Sequence, residues 1–391
     1  MSNIDELIEK LCPDGVEYKT FDNCAEYIRG VTYGKNDEVV SGGVGVLRAN
    51  AIDMNTSKLV LNDMKFVLPK KPFADKQYLS KNDILICAGS GSKDHIGKVG
   101  FSFNDTSFVF GGFMAVIRSK QVINSRFLFH ILRSRIFRTH LDSTLSSTTI
   151  NNINNRVMNA LTIPVPPLEV QEEIVKILDT FTELEAELEA ELEASRKQYE
   201  FYRNKLLTFN ERERVRWVTL GEIAKIKNGK DWKNCQPGNV PVYGSGGIMT
   251  YIDTPVYDQP TVLIPRKGTI TNLFYVDQPF WNVDTIYYTE IDTQKIIPKY
   301  FYYFMKTINL MSLDTGSGRP SLTQKILNKL CIPIPPLEEQ ERIVSILDKF
   351  EALVNDISIG LPAELAARRK QYEHYRNKLL TFDKKPEKKS A

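Results

Sequence analysis

Two sequence blocks each occur twice in this chain, and they constrain its fold more than any other feature. The first, Ile-Pro-Val-Pro-Pro-Leu-Glu-Val-Gln-Glu, covers residues 163–172 and returns at 332–341 with two substitutions. The second, Arg-Lys-Gln-Tyr-Glu-x-Tyr-Arg-Asn-Lys-Leu-Leu-Thr-Phe, covers residues 196–209 and 369–382. The stretches before each copy share little sequence. The chain is therefore predicted to contain two repeat units, each a variable region followed by a similar connector.

Both connectors are predicted to be long helices with one apolar stripe. Pro166-Pro167 excludes helix upstream, so the first helix is predicted over residues 168–209. Its stripe has the 3.5-residue period of a coiled coil and consists of Leu178, Phe181, Leu184, Leu188, Leu192, Tyr199, Tyr202 and Leu206. The second stripe consists of Leu347, Phe350, Val354, Ile357, Leu361, Leu365, Tyr372, Tyr375 and Leu379. Because an apolar stripe needs cover, we expect the two to pack together, in a direction set by the intervening region.

The second connector differs from the first at one point. It is longer by four residues, and the extra length includes Gly360-Leu361-Pro362. Glycine commonly follows the end of a helix and proline commonly begins one. The second connector is therefore predicted to be two helical pieces.

The variable regions, residues 12–160 and 211–330, are predicted to be mixed α+β globules. Short β-rich runs such as 83–87 and 261–264 alternate with turns rich in glycine and asparagine. Each region ends in an aromatic stretch with helical character, at residues 126–132 and 300–305.

The charge of the chain is unevenly distributed. Residues 12–160 contain 19 Lys or Arg against 13 Asp or Glu, and residues 211–331 contain 15 against 11. The first connector, residues 161–210, contains 5 against 11. A polyanion would be attracted to the variable regions and repelled by the connector, although excesses of this size also occur in proteins that never bind nucleic acid.

The remaining composition favours a reduced, non-membrane setting. Five cysteines are scattered without a Cys-x-x-Cys pair, and no apolar stretch is long enough to span a bilayer. We therefore expect a cytoplasmic protein without a structural zinc site. Five residues separate Gly91 from Gly97, where a phosphate loop has four, and no Ser or Thr follows Lys98, so a phosphate loop is not predicted. No catalytic residue, metal site or cofactor is predicted.

The duplicated blocks resemble those of the specificity subunit of type I restriction-modification systems, over essentially the whole chain. The resemblance implies an α+β fold in which two globular target-recognition domains are joined by two long antiparallel coiled-coil helices, with a pseudo-two-fold internal repeat. Residues 1–160 would form the first recognition domain, 161–210 the central helix, 211–330 the second recognition domain, and 331–391 the distal helix with a basic tail.

The resemblance also implies partners. Such a subunit binds a bipartite double-stranded DNA target, one half-site per recognition domain, and performs no chemistry itself. Two modification subunits, which methylate adenine, would dock on the helices, and restriction subunits with translocase and nuclease activity may join them. Candidate contacts to the modification subunits are Arg196, Lys197, Arg203, Arg369, Lys370 and Arg376, with a solvated helix face as the alternative.

Side chains that contact DNA are expected in polar loops next to basic residues. In the first recognition domain the candidates are Arg48, Asn50, Ser90, Ser92, Lys93, His95, Thr148 and Asn151. In the second they are Lys230, Lys233, Tyr243, Ser245, Arg266, Lys267, Arg319, Ser321 and Gln324. Arg266 or Arg319 would contact guanine, and Asn50 or Gln324 adenine.

The acidic repeat of residues 182–194 suggests how the two half-sites are spaced. Each Leu-Glu-Ala-Glu tetrad adds about 6 Å of helix, a little under two base-pair steps. We hypothesise that this helix sets the unread spacer, with a merely stable rod as the alternative. Two other functions remain open: a coiled-coil adaptor whose globules bind protein, and a specificity-like subunit of another defence or methylation system.

Overall fold

The computed structural model describes residues 2–54, 56–61, 64–69, 71–91, 95–145, 152–209, 215–315, 318–356 and 359–386. The chain divides into two compact units: residues 1–189 with 365–391 form the first, and residues 190–364 form the second. Each unit therefore combines one variable region with the start of one connector and the end of the other. The domain boundaries predicted at residues 160, 210 and 330 divide the chain into consecutive segments, which differ from these two units, and they stay predictions.

The first unit holds a sheet-rich variable region followed by helix. Its elements are α1 (Ser2–Leu11), β1 (Glu17–Thr20), α2 (Phe21–Cys24), β2 (Ala25–Arg29), β3 (Glu38–Val39), β4 (Val44–Leu47), β5 (Lys65–Val67), β6 (Ile84–Cys87), β7 (Val99–Phe101), β8 (Val109–Phe110), β9 (Met114–Ser119), α3 (Ser125–Arg133), α4 (Arg135–Leu145), α5 (Asn155–Asn159) and β10 (Thr162–Val165). The connector helix α6 (Leu168–Leu206) follows, and its residues 168–189 belong to this unit.

The second unit has a comparable element order. Its elements are β11 (Arg216–Thr219), α7 (Leu220–Ile223), β12 (Ala224–Asn228), β13 (Pro237–Gly244), β14 (Gly247–Ile252), β15 (Thr261–Pro265), β16 (Phe274–Val276), β17 (Trp281–Asn282), β18 (Ile286–Ile291), α8 (Pro298–Met305), α9 (Gln324–Leu327), β19 (Cys331–Ile334) and α10 (Leu337–Asn355). The last helix, α11 (Leu361–Leu379), returns to the first unit except for its first residues.

Both variable regions contain the same four-stranded antiparallel sheet. Its strand order is β2-β9-β6-β7 in the first and β12-β18-β15-β16 in the second. A parallel pair of shorter strands accompanies each sheet, β4 with β8 and β13 with β17. Each unit also closes with a two-stranded ladder, β1 with β10 and β11 with β19. The predicted α+β class is confirmed, and the two regions share the topology of the four-stranded sheet although they share little sequence.

The connectors have the predicted helical form. Helix α6 begins at Leu168, as predicted, and its 39 residues correspond to about 58 Å. The second connector is divided into α10 and α11, on either side of residues 356–360. The break predicted at Gly360-Leu361-Pro362 is therefore confirmed.

The predicted apolar stripes were wrong at Leu184, and Ile357 of the second stripe lies outside the described residues. Leu184 is 43% exposed, and the neighbouring Glu185 is buried in its place at 7% exposure. The Glu185 carboxylate accepts a hydrogen bond from Nε of Arg369 at 2.6 Å, and Glu189 binds the same guanidinium. A buried carboxylate needs such a partner, which apolar periodicity cannot reveal. Arg369, a candidate contact to the modification subunits, thus takes part in an ion pair within the first unit.

The repeated tyrosines pack between helices, as predicted. Tyr199 and Tyr372 are each 4% exposed. In the first unit Tyr375 stacks on Phe181 with ring centroids 5.4 Å apart, and in the second Tyr202 stacks on Phe350 at 5.6 Å. Within the first unit, Phe181 of α6 contacts Tyr375 of α11, and Glu185, one turn later on α6, contacts Arg369, which lies earlier on α11. The two helices are therefore antiparallel there.

The repeated glutamine of the first block holds each globule to its helix. Gln171 is fully buried; its Oε1 accepts from the backbone N–H of Asn124 at 2.8 Å, and its Nε2 donates to Pro166 O at 2.7 Å. Gln340 accepts from Ile297 N–H at 2.8 Å and donates to Pro335 O at 2.9 Å. One amide thus satisfies buried backbone groups on both sides of the junction.

Replacing either glutamine by alanine is expected to destabilise its own unit by about 2–3 kcal/mol, because a buried N–H and a carbonyl lose their partners. Urea unfolding of Gln171→Ala and Gln340→Ala measures the effect. The exposed neighbours supply matched controls, Glu172→Ala and Glu341→Ala, for which a change under about 0.5 kcal/mol is expected. Equal losses in variant and control would contradict this role.

A buried histidine lies at the same junction in the first unit. His130 is fully buried, with Nδ1 3.1 Å from the Tyr372 hydroxyl and Nε2 2.9 Å from the Asp179 carboxylate. Burial lowers the pKa of His130 to about 4, with Arg126 and Arg133 opposing the charged form and Asp179 favouring it. Burial would raise the pKa of Asp179, but hydrogen bonds from His130 and Arg126 outweigh it and keep that pKa low. The imidazole is therefore neutral and donates from Nε2.

This histidine makes the stability of the first unit depend on pH. An unfolded histidine titrates near pH 6.5, so between about pH 6.5 and 4 the unfolded chain holds a proton that folded His130 rejects. The stabilisation is complete above pH 6.5 and is lost as the pH falls. We expect a loss of about 2 kcal/mol between pH 7 and pH 5. Urea unfolding at both values should show that loss in the wild type, and a smaller one in His130→Gln.

Candidate nucleic-acid interface

A set of backbone hydrogen bonds joins three loops at one end of the sheet in the second unit. The N–H groups of Arg266 and Lys267 donate to Thr285 O at 2.9 and 3.2 Å. Leu322 N–H donates to Arg266 O at 2.8 Å, and Lys267 pairs with Ser321 in an isolated bridge. The loops that follow β15, precede β18 and precede α9 are thus fixed to one another.

The first unit repeats this arrangement bond for bond. The N–H groups of Ala88 and Gly89 both donate to Phe113 O at 2.9 Å. Ile153 N–H donates to Ala88 O at 2.7 Å, and Gly89 pairs with Asn152 in an isolated bridge. The two variable regions therefore share a backbone frame at this site as well as a sheet.

A glycine after the first sheet strand is required in both frames. A Cβ added to Gly30 would lie 2.1 Å from Gly111 O, and one added to Gly229 would lie 2.0 Å from Val283 O. Such close approach of two backbones excludes every side chain.

The side chains on these two frames differ at nearly every position. The equivalent pairs, first unit and then second, are Arg29 and Asn228, Leu47 and Tyr243, Ala88 and Arg266, Gly89 and Lys267, Phe113 and Thr285, Asn152 and Ser321, and Ile153 and Leu322. We define the first loop cluster as Arg29, Ala88, Gly89, Ser90, Phe113 and Asn152. The second loop cluster consists of Asn228, Ser245, Arg266, Lys267, Thr285, Arg319, Ser321 and Gln324.

The second loop cluster contains two arginines in different settings. Arg266 is half-buried, with its guanidinium 5.9 Å from the Tyr287 ring and Nη1 3.4 Å from Asp284 O. Arg319 is exposed and lies beside Gly268, where a Cβ would be 3.4 Å from its Nη2. Arg266 thus contacts its own domain, and Arg319 is the more solvent-exposed of the two.

Polar groups complete the second loop cluster. Ser245 N–H donates to Thr285 Oγ1 at 3.2 Å, and Gln324 Nε2 donates to Asn228 Oδ1 at 3.3 Å. Asn272 Nδ2 donates to Ser245 O at 3.2 Å. These bonds hold hydroxyl and amide groups of three loops at one surface, next to Lys267 and Arg319.

The first loop cluster is less basic. Nη1 of Arg29 donates to Asn152 Oδ1 at 3.1 Å and to Ile153 O at 3.0 Å, and the buried Tyr27 hydroxyl donates to the same carbonyl at 2.7 Å. The ring of Phe113 is 73% exposed beside them. One arginine, one amide and one aromatic ring thus share this surface.

Comparison with known proteins identifies the family. The profile of the type I restriction modification DNA specificity domain matches residues 13–194 and again residues 213–367. The chain belongs to this family. Each match covers one variable region and part of the connector that follows it, in agreement with the repeat unit predicted from sequence.

Similar proteins carry the same description. A putative type I restriction enzyme specificity subunit of Haemophilus influenzae is 31% identical over 98% of this chain and 100% of its own length. A type I restriction enzyme specificity subunit of Escherichia coli is 36% identical over 59% of this chain and 65% of its own length. A putative specificity subunit of Mycoplasma pneumoniae is 30% identical, with 58% of this chain matching 99% of the relative.

Solved structures support the fold. The S subunit of a type I restriction-modification system from M. genitalium superposes with a TM-score of 0.58 at 19% identity, covering 94% of this chain and 96% of that one. A chain from a study of complex assembly and conformational transition of the type I R-M system gives 0.63 at 19% identity, covering 94% and 98%.

Within this specificity subunit, the frame brings together many of the residues predicted from sequence. Ser245, Arg266, Lys267, Arg319, Ser321 and Gln324 fall in the second loop cluster, and Ser90 falls in the first. Lys230 is exposed next to the second, and its N–H donates to Asn282 O at 2.9 Å. Lys233 is exposed, and its Nζ lies 3.8 Å from Oδ2 of Asp231.

Other predicted residues lie elsewhere. Tyr243 is 9% exposed and packs among Leu263, Phe280 and Tyr288, so its ring belongs to the core and we leave it out of the interface. Arg48 and Asn50 lie at a short 3-10 turn after β4. His95 is half-buried, and its Nδ1 has no hydrogen-bond partner within the described part of the chain. Ser92, Lys93, Thr148 and Asn151 lie outside the described residues.

Sequence reasoning missed Arg29, Phe113 and Thr285. A phenylalanine between glycines and a β-rich run predicts core, and Arg29 closes a strand without any motif. These residues are identified by the equivalence of the two frames. That equivalence is visible only once the hydrogen bonds between residues far apart in the sequence are known.

Among the residues that the structure describes, no three His, Cys, Asp or Glu side chains converge as a metal site requires. None of the described helices combines the length and apolarity needed to cross a bilayer.

Proposed function

We propose that this specificity subunit binds a bipartite double-stranded DNA target, with each loop cluster contacting one half-site. The observation that carries the proposal is a single backbone frame that presents two different sets of side chains. Bases are distinguished by the side chains that reach their edges. A common frame with exchanged side chains would therefore let one architecture select two unrelated half-sites.

The charge distribution supports the same proposal. The variable regions have net charges of +6 and +4, whereas the first connector has −6. Lysine and arginine on phosphates would supply most of the affinity, and the acidic helix would not hold DNA between the half-sites. Family membership gives no support to the alternative of a protein-binding adaptor.

The partners form the finer part of the proposal. Two adenine methyltransferase subunits would dock on the connector helices and restriction subunits would join, while this chain selects the sequence and performs no chemistry. Of the six basic candidates for docking, Arg196, Lys197 and Lys370 are exposed. Arg203 and Arg376 lie over the rings of Tyr199 and Tyr372, at 5.5 and 5.0 Å. A cytoplasmic location belongs to the same proposal.

Salt dependence of DNA binding tests this function. The complex assembled with its methyltransferase is titrated with fluorescent duplex carrying the target, at 50 and 200 mM salt. Each phosphate contact releases counterions, so we expect Kd to rise at least about 100-fold between the two concentrations. No affinity for duplex DNA, or affinity independent of salt, would favour the adaptor.

A further inference from the structure

Phe113 exposes an apolar side chain to solvent from a backbone that is held in place. The residue is 73% exposed, whereas the nearby Phe110 and Met114 are fully buried. The backbone turns tightly here, since Met114 N–H donates to Gly111 O at 2.7 Å. The Phe113 carbonyl accepts from both Ala88 and Gly89, so its position is fixed. Exposure of this ring does not result from a loose loop.

The ring lies among the polar groups of the first loop cluster. A Cβ added to Gly89 would be 3.1 Å from Cδ1 of Phe113 and 3.9 Å from Oδ1 of Asn152. The same Asn152 oxygen accepts from Arg29. One surface thus combines an aromatic ring, an amide and a guanidinium within the reach of neighbouring bases.

The second unit has Thr285 where the first has Phe113. Both carbonyls accept the same two backbone bonds, so the frame does not require an aromatic residue here. Thr285 also accepts from Ser245 N–H, a bond that phenylalanine cannot form. The backbone frame therefore accepts either residue, and the Phe113 ring is not needed to form it.

We propose that the Phe113 ring packs against the 5-methyl group of a thymine in the first half-site. This rests on the DNA-binding function proposed above. Thymine is the one base that presents a methyl group in the major groove, and apolar side chains contact it there. The ring has no hydrogen-bonding group, so it selects by apolar contact. Asn152 Nδ2 and the Arg29 nitrogens other than Nη1, which is bonded to Asn152 Oδ1, would bond to adjacent base edges or phosphates.

Uracil substitution tests the contact at the level of one methyl group. The sequence of the first half-site is read from the DNA motif that the complex of this chain with its methyltransferase methylates. Each thymine of that half-site is replaced in turn by uracil, which lacks the 5-methyl group and keeps every hydrogen-bonding group. Kd is measured with the assembled complex for the wild type, Phe113→Thr and Phe113→Ala. Phe103→Thr supplies a matched control, because Phe103 is also exposed in the first variable region and lies outside the loop cluster.

We expect one uracil to raise Kd about fourfold in the wild type and in Phe103→Thr, the effect of one methyl group. The same uracil should change Kd less than about twofold in both Phe113 variants. If no thymine of the first half-site is sensitive, or if sensitivity persists in the Phe113 variants, the proposal is overturned. If both Phe113 variants bind every duplex more weakly and no uracil changes Kd, the ring inserts between base steps instead, and the proposal is also overturned. Wild-type complex that does not bind the duplex at all would instead contradict the proposed function.

Discussion

Replacing Arg319 by alanine is expected to raise Kd for the cognate duplex about 10- to 100-fold and to relax selection at one position of the second half-site. Arg319 is the more exposed arginine of the second loop cluster, whereas Arg266 is half-buried and lies against Tyr287 and Asp284. A bidentate contact of a guanidinium with guanine provides 1–3 kcal/mol of discrimination, roughly this range. Arg319→Lys should lose most of it as well, because an ammonium group cannot make the paired bonds.

The control for Arg319 must remove the same charge elsewhere. Arg216 is exposed on β11, in the ladder with β19 and away from the loop cluster. Arg216→Ala should leave the recognised sequence unchanged and alter Kd by less than about threefold. Competition with duplexes varied at each position of the second half-site measures the selectivity. If Arg319→Ala and Arg216→Ala weaken binding equally for all sequences, Arg319 contributes charge alone.

Deleting one tetrad, Glu185–Leu188, is expected to change the target itself. The deletion shortens α6 by about 6 Å, so the unread spacer should shrink by one or two base pairs. The sequence keeps a glutamate opposite Arg369, since Glu189 takes the place of Glu185. On the C-terminal side of the deletion, two consecutive residues of the stripe that packs against the other helix are then three positions apart, twice in succession. This spacing overwinds the coiled coil locally.

Length must be separated from composition in this experiment. Ala190→Ser with Ala194→Ser alters the same repeat at exposed positions and keeps the number of residues. Duplexes with spacers from three base pairs shorter to one longer are compared for methylation by each variant. The deletion should prefer a shorter spacer, and the double substitution should keep the original one. An unchanged spacer in a folded deletion variant would show that α6 does not set the spacing.

Periodicity predicted the connectors because their pattern is local. The start of α6 at Leu168 and the break before Leu361 follow from prolines and glycine in the sequence itself. Leu184 and Glu185 show the limit of that reasoning. The burial of Glu185 depends on its ion pair with Arg369, which lies 184 residues away in the sequence. Hydrophobicity along one helix cannot contain that information.

The candidate site could be predicted only in part for a similar reason. Basic and polar loop residues of the second cluster were found because their residue types are typical of DNA contacts. Tyr243 was chosen by the same criterion, yet its place on the frame is that of Leu47, an apolar core position. Phe113 was missed because the pairing of Gly89 with Asn152, which brings the loops together, is a tertiary contact.

Two equivalent frames in one chain are expected to select two different half-sites. The most direct test is to express this chain with its partner methyltransferase and to map adenine methylation across a host genome. We expect a split motif, in which two unrelated half-sites are separated by a gap of fixed length. A stable complex that produces no new methylation, or a single uninterrupted motif, would contradict it.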